Sequence, residues 1–176
     1  MEEDTRNLID KFKGLSNEDV KQILDLDRNS LEIAIVNVSH DFNAGTIVRN
    51  ANNFNANAVH IIGKRKYNRR GAMCTDKYMH IHYWADFDAF MKYSRGRELV
   101  AIENNVPNCQ PLGTKKFAPN TTLIFGSESD GIPREILEKV DDIRFIESFG
   151  STRSVNVGVA SGIAMYEWAR QNKINV

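Results

Sequence analysis

The chain reads as an α/β protein built on a mostly parallel sheet flanked by helices. Three observations predict it. Short β-type apolar runs recur along the chain, segments with helical spacing separate them, and three of the runs lead into polar, glycine-containing loops. Alternating strands and helices favour parallel pairing through helical crossovers. In such sheets ligands sit beyond the carboxyl ends of the strands, which makes those three loops the places to look for function.

The elements follow in order. Residues 5–26 place Leu8, Ile9, Phe12 and Leu15, then Val20, Ile23 and Leu24, at helical spacing, interrupted near Gly14 and Ser16. Two short helices are expected, the second capped by Ser16 with Glu18 and Asp19 in its first turn. Leu31 to Val38 reads as a strand, Ala44 to Phe54 as a helix and Ala58 to Ile62 as a second strand. His82-Tyr83-Trp84 suggests a short strand, and Asp86 to Tyr93 a helix. Leu99 to Ile102 and Thr121 to Phe125 are further β-type runs. Pro133 fits the first position of a helix reaching about Val140, because its fixed φ suits that place. Ile143 to Ile146 is the last strand and Val155 to Gln171 the last helix. That helix is apolar or small on nearly every face, and a helix without a charged stripe is expected to lie buried. Residues 1–176 are read as one domain, with 1–30 as a short helical segment at its start.

Composition narrows the function classes. The chain has 176 residues, is 41% hydrophobic and 26% charged, and carries zero formal net charge. These are ordinary values for a globular protein. No apolar run approaches the ~18 residues of a membrane span, and Met1-Glu2-Glu3-Asp4 lacks the pattern of a signal peptide, so a cytoplasmic location is expected. Cys74 and Cys109 read as ordinary thiols. His80 and His82 share a strand face with no third ligand at metal spacing, so no metal is expected. His60 reads as a satisfied sheet residue, whereas His40 is a candidate for lining a site. No G-x-S-x-G elbow is present. The dense charge cluster is Lys64, Arg65, Lys66, Arg69 and Arg70, five basic residues in seven, with Tyr67 among them. It is either a solvated basic loop or a phosphate-binding segment, in which Tyr67 would stack on a base.

The three loops carry the chemistry. In the first, Asn43 to Arg49, Asn43 is a candidate helix cap, and Arg49 is either a surface residue or a guanidinium placed to grip a phosphate. The second, Gly126 to Pro133, brackets a polar turn with two glycines. It is a plain strand-to-helix turn or a place where backbone approaches a ligand, and it matches neither a GxGxxG turn nor a P-loop. The third, Ser148 to Asn156, offers Ser154 as a cap for the last helix and Asn156 as an anchor for neighbouring loops.

In this order the loops resemble the signature motifs of the SPOUT superfamily, specifically the SpoU/TrmH-type RNA ribose 2′-O-methyltransferases. N-x-G-x-x-x-R is matched by Asn43, Gly45 and Arg49. G-x-E-x-x-G-[ILV]-P is matched by Gly126, Glu128, Gly131, Ile132 and Pro133, and S-[LMV]-N-[VL] by Ser154, Val155, Asn156 and Val157. The resemblance covers about residues 31–171. Two departures stand out: Glu147 occupies a place where the family has proline, and Asp41-Phe42 replaces a proline before the first motif.

The resemblance implies a C-terminal deep trefoil knot (the SPOUT fold), an exception to the unknotted rule. It implies S-adenosyl-L-methionine as cofactor, with S-adenosyl-L-homocysteine as product, and Asn104, Gly126, Ile146 and Ser154 as cofactor contacts. It further implies a tRNA or rRNA substrate and a homodimer. Arg49 would hold an RNA phosphate and stabilise the developing alkoxide, since a guanidinium is no conventional base. Asn43, Glu128 and Asn156 would orient the ribose and the loops. The rival readings are a catalytically inactive RNA-binding or assembly factor on the same fold and a knotted methyltransferase acting on a base. Intact Asn43, Arg49, Glu128, Ser154 and Asn156 argue against the first, and Ser154-Val155-Asn156 favours ribose over base.

Overall fold

The computed structural model describes residues 4–36, 42–63, 67–127 and 129–174. Seven strands form one sheet: β1 (Glu32–Val36), β2 (Ala58–Ile62), β3 (Ile81–Trp84), β4 (Glu98–Ile102), β5 (Gln110–Pro111), β6 (Thr121–Phe125) and β7 (Asp142–Phe145). Every pairing is parallel, in the order β3-β2-β1-β6-β4-β7-β5. β1, β2 and β6 are buried at every position. That is why they read as continuous apolar runs rather than alternating ones.

Helices cover both faces of the sheet. They are α1 (Asn17–Asp25), α2 (Asn43–Asn53), α3 (Phe87–Tyr93), α4 (Arg134–Leu137) and α5 (Val157–Asn172). On one face Ile33, Ile35, Ile61 and Leu123 pack with Ile47 and Val48 of α2 and Met165 and Trp168 of α5. On the other, Ala34, Val36, Ile62 and Ile124 meet Phe87 and Phe90 of α3 and Ile136 of α4. The split follows the two-residue period of the strands. Ser16 caps α1 as expected, accepting from Asp19 N at 3.1 Å. Phe12, Val20 and Tyr78 form a small separate core that fastens the N-terminal segment.

Several expectations shift. Residues 37 and 38 of the expected first strand lie outside the described residues. The first of the two expected N-terminal helices is a 3-10 turn, Asp10–Phe12. α2 begins at Asn43 itself, after Phe42, so Asn43 is not its cap. α5 begins two residues later than expected, because the Asn156 side chain, not Ser154, accepts from Gly158 N at 2.9 Å and Val159 N at 3.3 Å. α4 ends at Leu137, short of Val140. Two 3-10 turns, Arg69–Ala72 and Thr75–Tyr78, lack a sequence signal because left-handed Met73 and Cys74 break the chain's period between them.

α5 lies against α2 rather than being buried on all sides. Asn50 Nδ2 donates to Gly158 O and to Ser161 Oγ, both at 2.9 Å. A β-carbon at Gly158 would sit 3.0 Å from Thr46 Cγ2, so the small residues of α5 allow the close approach. The opposite face leaves Val159, Ile163 and Tyr166 exposed, one helical stripe at i, i+4 and i+7. The expectation of full burial therefore holds for one face only.

Under the α3 face lies a buried polar network. Glu32 accepts from Asn57 Nδ2 at 2.7 Å, pairs with Arg97 at 3.1 Å, and faces His60 Nε2 at 3.0 Å. Trp84 Nε1 lies 3.0 Å from His60 Nδ1. The indole only donates, so Nδ1 accepts and the His60 proton sits on Nε2, directed at Glu32. His60 is thus the satisfied sheet residue the sequence suggests.

Candidate active site

The strand order brings the carboxyl ends of β6, β4 and β7 side by side, although β4 and β6 are separated in sequence by β5. A cleft of about 330 Å³ opens there. Its floor and walls come from Ile102, Glu103 and Asn104 after β4, Gly126, Ser127 and Gly131 after β6, Phe145 and Ile146 at the end of β7, and Ser154 to Val157 with Ala160 leading into α5. Of the expected cofactor contacts, Asn104, Gly126, Ile146 and Ser154 all line this cleft, and so does Asn156.

Each wall has a local cause. After β6 the chain folds back on itself: Gly131 N donates to Ser127 O at 3.0 Å. A β-carbon at Gly126 would meet Gly131 C at 2.1 Å, so only glycine permits this turn. The loop after β4 is tied to the third loop by Asn104 Nδ2, which donates to Arg153 O at 2.6 Å. Leu112 N donates to Phe145 O at 2.8 Å and holds the end of β7.

The first motif joins the third through side chains. Asn156 Nδ2 donates to Asn43 Oδ1 at 2.9 Å while Asn156 Oδ1 caps α5. The two asparagines therefore lock the starts of α2 and α5 together. Gly45 has a packing role: a β-carbon there would lie 2.7 Å from Ala72 N and 2.8 Å from Asn68 O. Its absence lets the Arg69–Ala72 turn rest on α2.

Arg49 is exposed on α2 and is not among the residues lining the cleft. It stands six residues beyond Asn43, about 9 Å along the helix. Arg69 and Arg70 are exposed, and Arg69 Nε lies 3.3 Å from Asp76. Lys64, Arg65, Lys66, Glu128 and His40 lie outside the described residues. Tyr67 is a correction to the sequence reading. It is only 8% exposed, within the core, and burial pushes its phenol up to about 12, so it offers no face to a base. Glu147 is exposed and does not line the cleft; the wall at that point is Phe145 and Ile146.

With this geometry the comparison with known proteins is decisive. Residues 30–166 match the model of the SpoU rRNA Methylase family. The chain belongs to that family. Among the SpoU relatives, the 23S rRNA (guanosine-2′-O-)-methyltransferase RlmB of Photobacterium profundum is 26% identical over 168 residues, covering 92% of this chain and 68% of its own length. The TrmH/SpoU tRNA modifying enzyme of A. aeolicus superposes with a TM-score of 0.75 at 25% identity, over 88% of this chain and 81% of that one. The AdoMet-bound rRNA methyltransferase of Sinorhizobium meliloti has the same fold, with a TM-score of 0.72 at 21% identity. That alignment covers 86% of this chain and spans 59% of the Sinorhizobium protein.

Within this SpoU domain, sequence reading missed Ile102, Glu103 and Phe145 as parts of the cleft. Glu103 was within reach of the carboxyl-end rule, since it directly follows a strand. Ile102 and Phe145 looked like strand core, and each is the last residue of its strand. Among the described residues no group of three or more His, Cys, Asp or Glu side chains is placed to hold a metal. No described helix is long and apolar enough to cross a membrane.

Proposed function

We propose that this SpoU-family chain is an S-adenosylmethionine-dependent methyltransferase acting on a ribose 2′-hydroxyl of tRNA or rRNA, in the cytoplasm. The observation that carries the reading is a cleft that gathers residues of the second and third motifs, with the first motif hydrogen-bonded to its rim. The lining suits the cofactor. Ile102, Phe145, Ile146, Val155, Val157 and Ala160 supply apolar surface for an adenine ring, and the loop backbones and Ser154 supply polar contacts. When bound, S-adenosylmethionine supplies a methyl group on a sulfonium; its transfer to ribose O2′ releases the hydroxyl proton and leaves S-adenosylhomocysteine.

The protein's own part is positioning and charge stabilisation. Asn104, Gly126, Ile146 and Ser154 hold the cofactor. Arg49 grips an RNA phosphate and steadies the developing alkoxide, with a phosphate oxygen taking the proton. Asn43 and Asn156 hold the two helix starts in register, and Glu128 orients the ribose. Arg69 and Arg70 contact RNA phosphates, and the same role is proposed for Lys64, Arg65 and Lys66. A homodimer forms through the exposed apolar stripe of α5, and the C-terminal segment forms the trefoil knot of the SPOUT fold.

The test is nucleoside mass spectrometry of RNA treated with the protein and S-adenosylmethionine. One 2′-O-methyl nucleoside should appear, and a methylated base would overturn the ribose assignment. Arg49→Ala should cut methyl transfer at least ~100-fold, the scale of one lost charge-stabilising group, with cofactor affinity unchanged. Full transfer by that variant would remove Arg49 from the mechanism.

A further inference from the structure

Among the described residues that line the cleft, Glu103 carries the one charged side chain. It is held in place by backbone. Ile132 N donates to Glu103 Oε2 at 2.9 Å, and Asn104 N donates to Glu103 Oε1 at 3.0 Å. Its own backbone N–H donates to Arg144 O at 3.0 Å, so both main chain and carboxylate are fixed. Gly131 completes the seat. Its φ is 63°, and a β-carbon there would lie 2.5 Å from Glu103 Oε2. The turn after β6 is therefore shaped around this carboxylate, and Glu103 forms part of the cleft wall. A fixed charge in such a place is screened far less than one on the open surface.

The two species the cleft must distinguish differ by one charge. S-adenosylmethionine carries a sulfonium, and S-adenosylhomocysteine carries an uncharged thioether at the same sulfur. A cleft lined by neutral groups would hold both equally through the adenosine and amino-acid parts. We propose that Glu103 makes the cleft charge-selective, favouring the cationic cofactor over its neutral-sulfur product. The inference rests on the methyltransferase reading and adds a specificity residue to it. Product release is then eased by the reaction itself, because transfer removes the charge that the carboxylate attracts.

Calorimetry on the full chain tests this with no turnover required. Glu103→Gln keeps a carbonyl acceptor for Ile132 N but removes the charge. It should weaken S-adenosylmethionine binding about tenfold and S-adenosylhomocysteine binding less than about threefold, so that the preference between them falls. Glu103→Asp, which keeps the charge, should retain part of the preference. Thermal unfolding without ligand separates this from misfolding, and the midpoint of Glu103→Gln should stay within a few degrees of the parent. An equal loss for both ligands, or an unchanged ratio, overturns the inference alone. If the unsubstituted chain bound neither ligand, the proposed function would fall and this inference with it.

Discussion

Asn156 shows how one side chain can serve two ends. Its carbonyl oxygen takes the first free N–H groups of α5, and its amide reaches Asn43 at the start of α2. Asn156→Ala removes a cap and the link between motifs, a loss of about 1–2 kcal/mol. The unfolding midpoint should fall by roughly 2–4 °C per kcal/mol, which calorimetry would register; an unchanged midpoint would leave Asn156 with no capping role. Glu32 is the second decisive residue. Burial pushes its carboxyl up, but the His60 hydrogen bond, the Arg97 charge and the Asn57 hydrogen bond outweigh that, and the net effect is a lowered value. A depressed carboxyl contributes stability that is present above its unfolded value of about 4.3 and is lost as pH falls through the lower folded one. Glu32→Gln should therefore cost about 3 kcal/mol near neutrality, because Arg97 loses its counter-charge. It should also flatten the fall in stability below about pH 4. Parallel pH profiles for parent and variant would refute the assignment.

The contact between α2 and the Arg69–Ala72 turn is set by glycines. A β-carbon at Gly71 would meet Phe42 O at 2.3 Å, and one at Gly45 would press on Ala72 N and Asn68 O. All of these neighbours are backbone, so no side chain can swing away. Gly45→Ala should cost about 1–3 kcal/mol through overpacking. It should also shift the turn that carries Arg69 and Arg70, weakening RNA binding in a gel-shift assay while S-adenosylmethionine affinity holds. Equal RNA affinity in the two proteins would detach the turn from substrate binding. The same reasoning gives the first motif structural parts. Its glycine serves helix-to-turn packing and its asparagine joins two helices, which leaves Arg49 as its outward-facing charged group.

At the scale of the whole molecule, α5 presents two faces of different character. The small face packs on α2, and the other leaves Val159 55%, Ile163 38% and Tyr166 54% exposed. An exposed apolar stripe is the surface on which the proposed homodimer would form. If that dimer forms, Ile163→Glu should shift the protein to monomer in sedimentation, and a parent that sediments as a monomer at micromolar concentration would sink the proposal. The alternating pattern, the apolar runs and the turn residues sufficed to identify an α/β chain, most of its strands and the three loops that matter. Those features are local, since strand burial, proline φ and glycine turns act over a few residues. The family resemblance carried by the three motifs likewise implied Asn104, Gly126, Ile146 and Ser154, and one cleft brings them together. Other points depended on tertiary structure. Tyr67 sits in an aromatic-bearing basic segment yet is packed into the core, and nothing in its neighbours along the chain says so. Asn156 rather than Ser154 caps α5, because the seat of α5 on α2 selects which side chain reaches the free N–H groups. Glu103 faces the cleft because β4 lies between β6 and β7, a non-local order written in no single stretch of residues. Local conformation follows from the chain's own chemistry; which groups share a cavity is decided only when distant strands choose their neighbours.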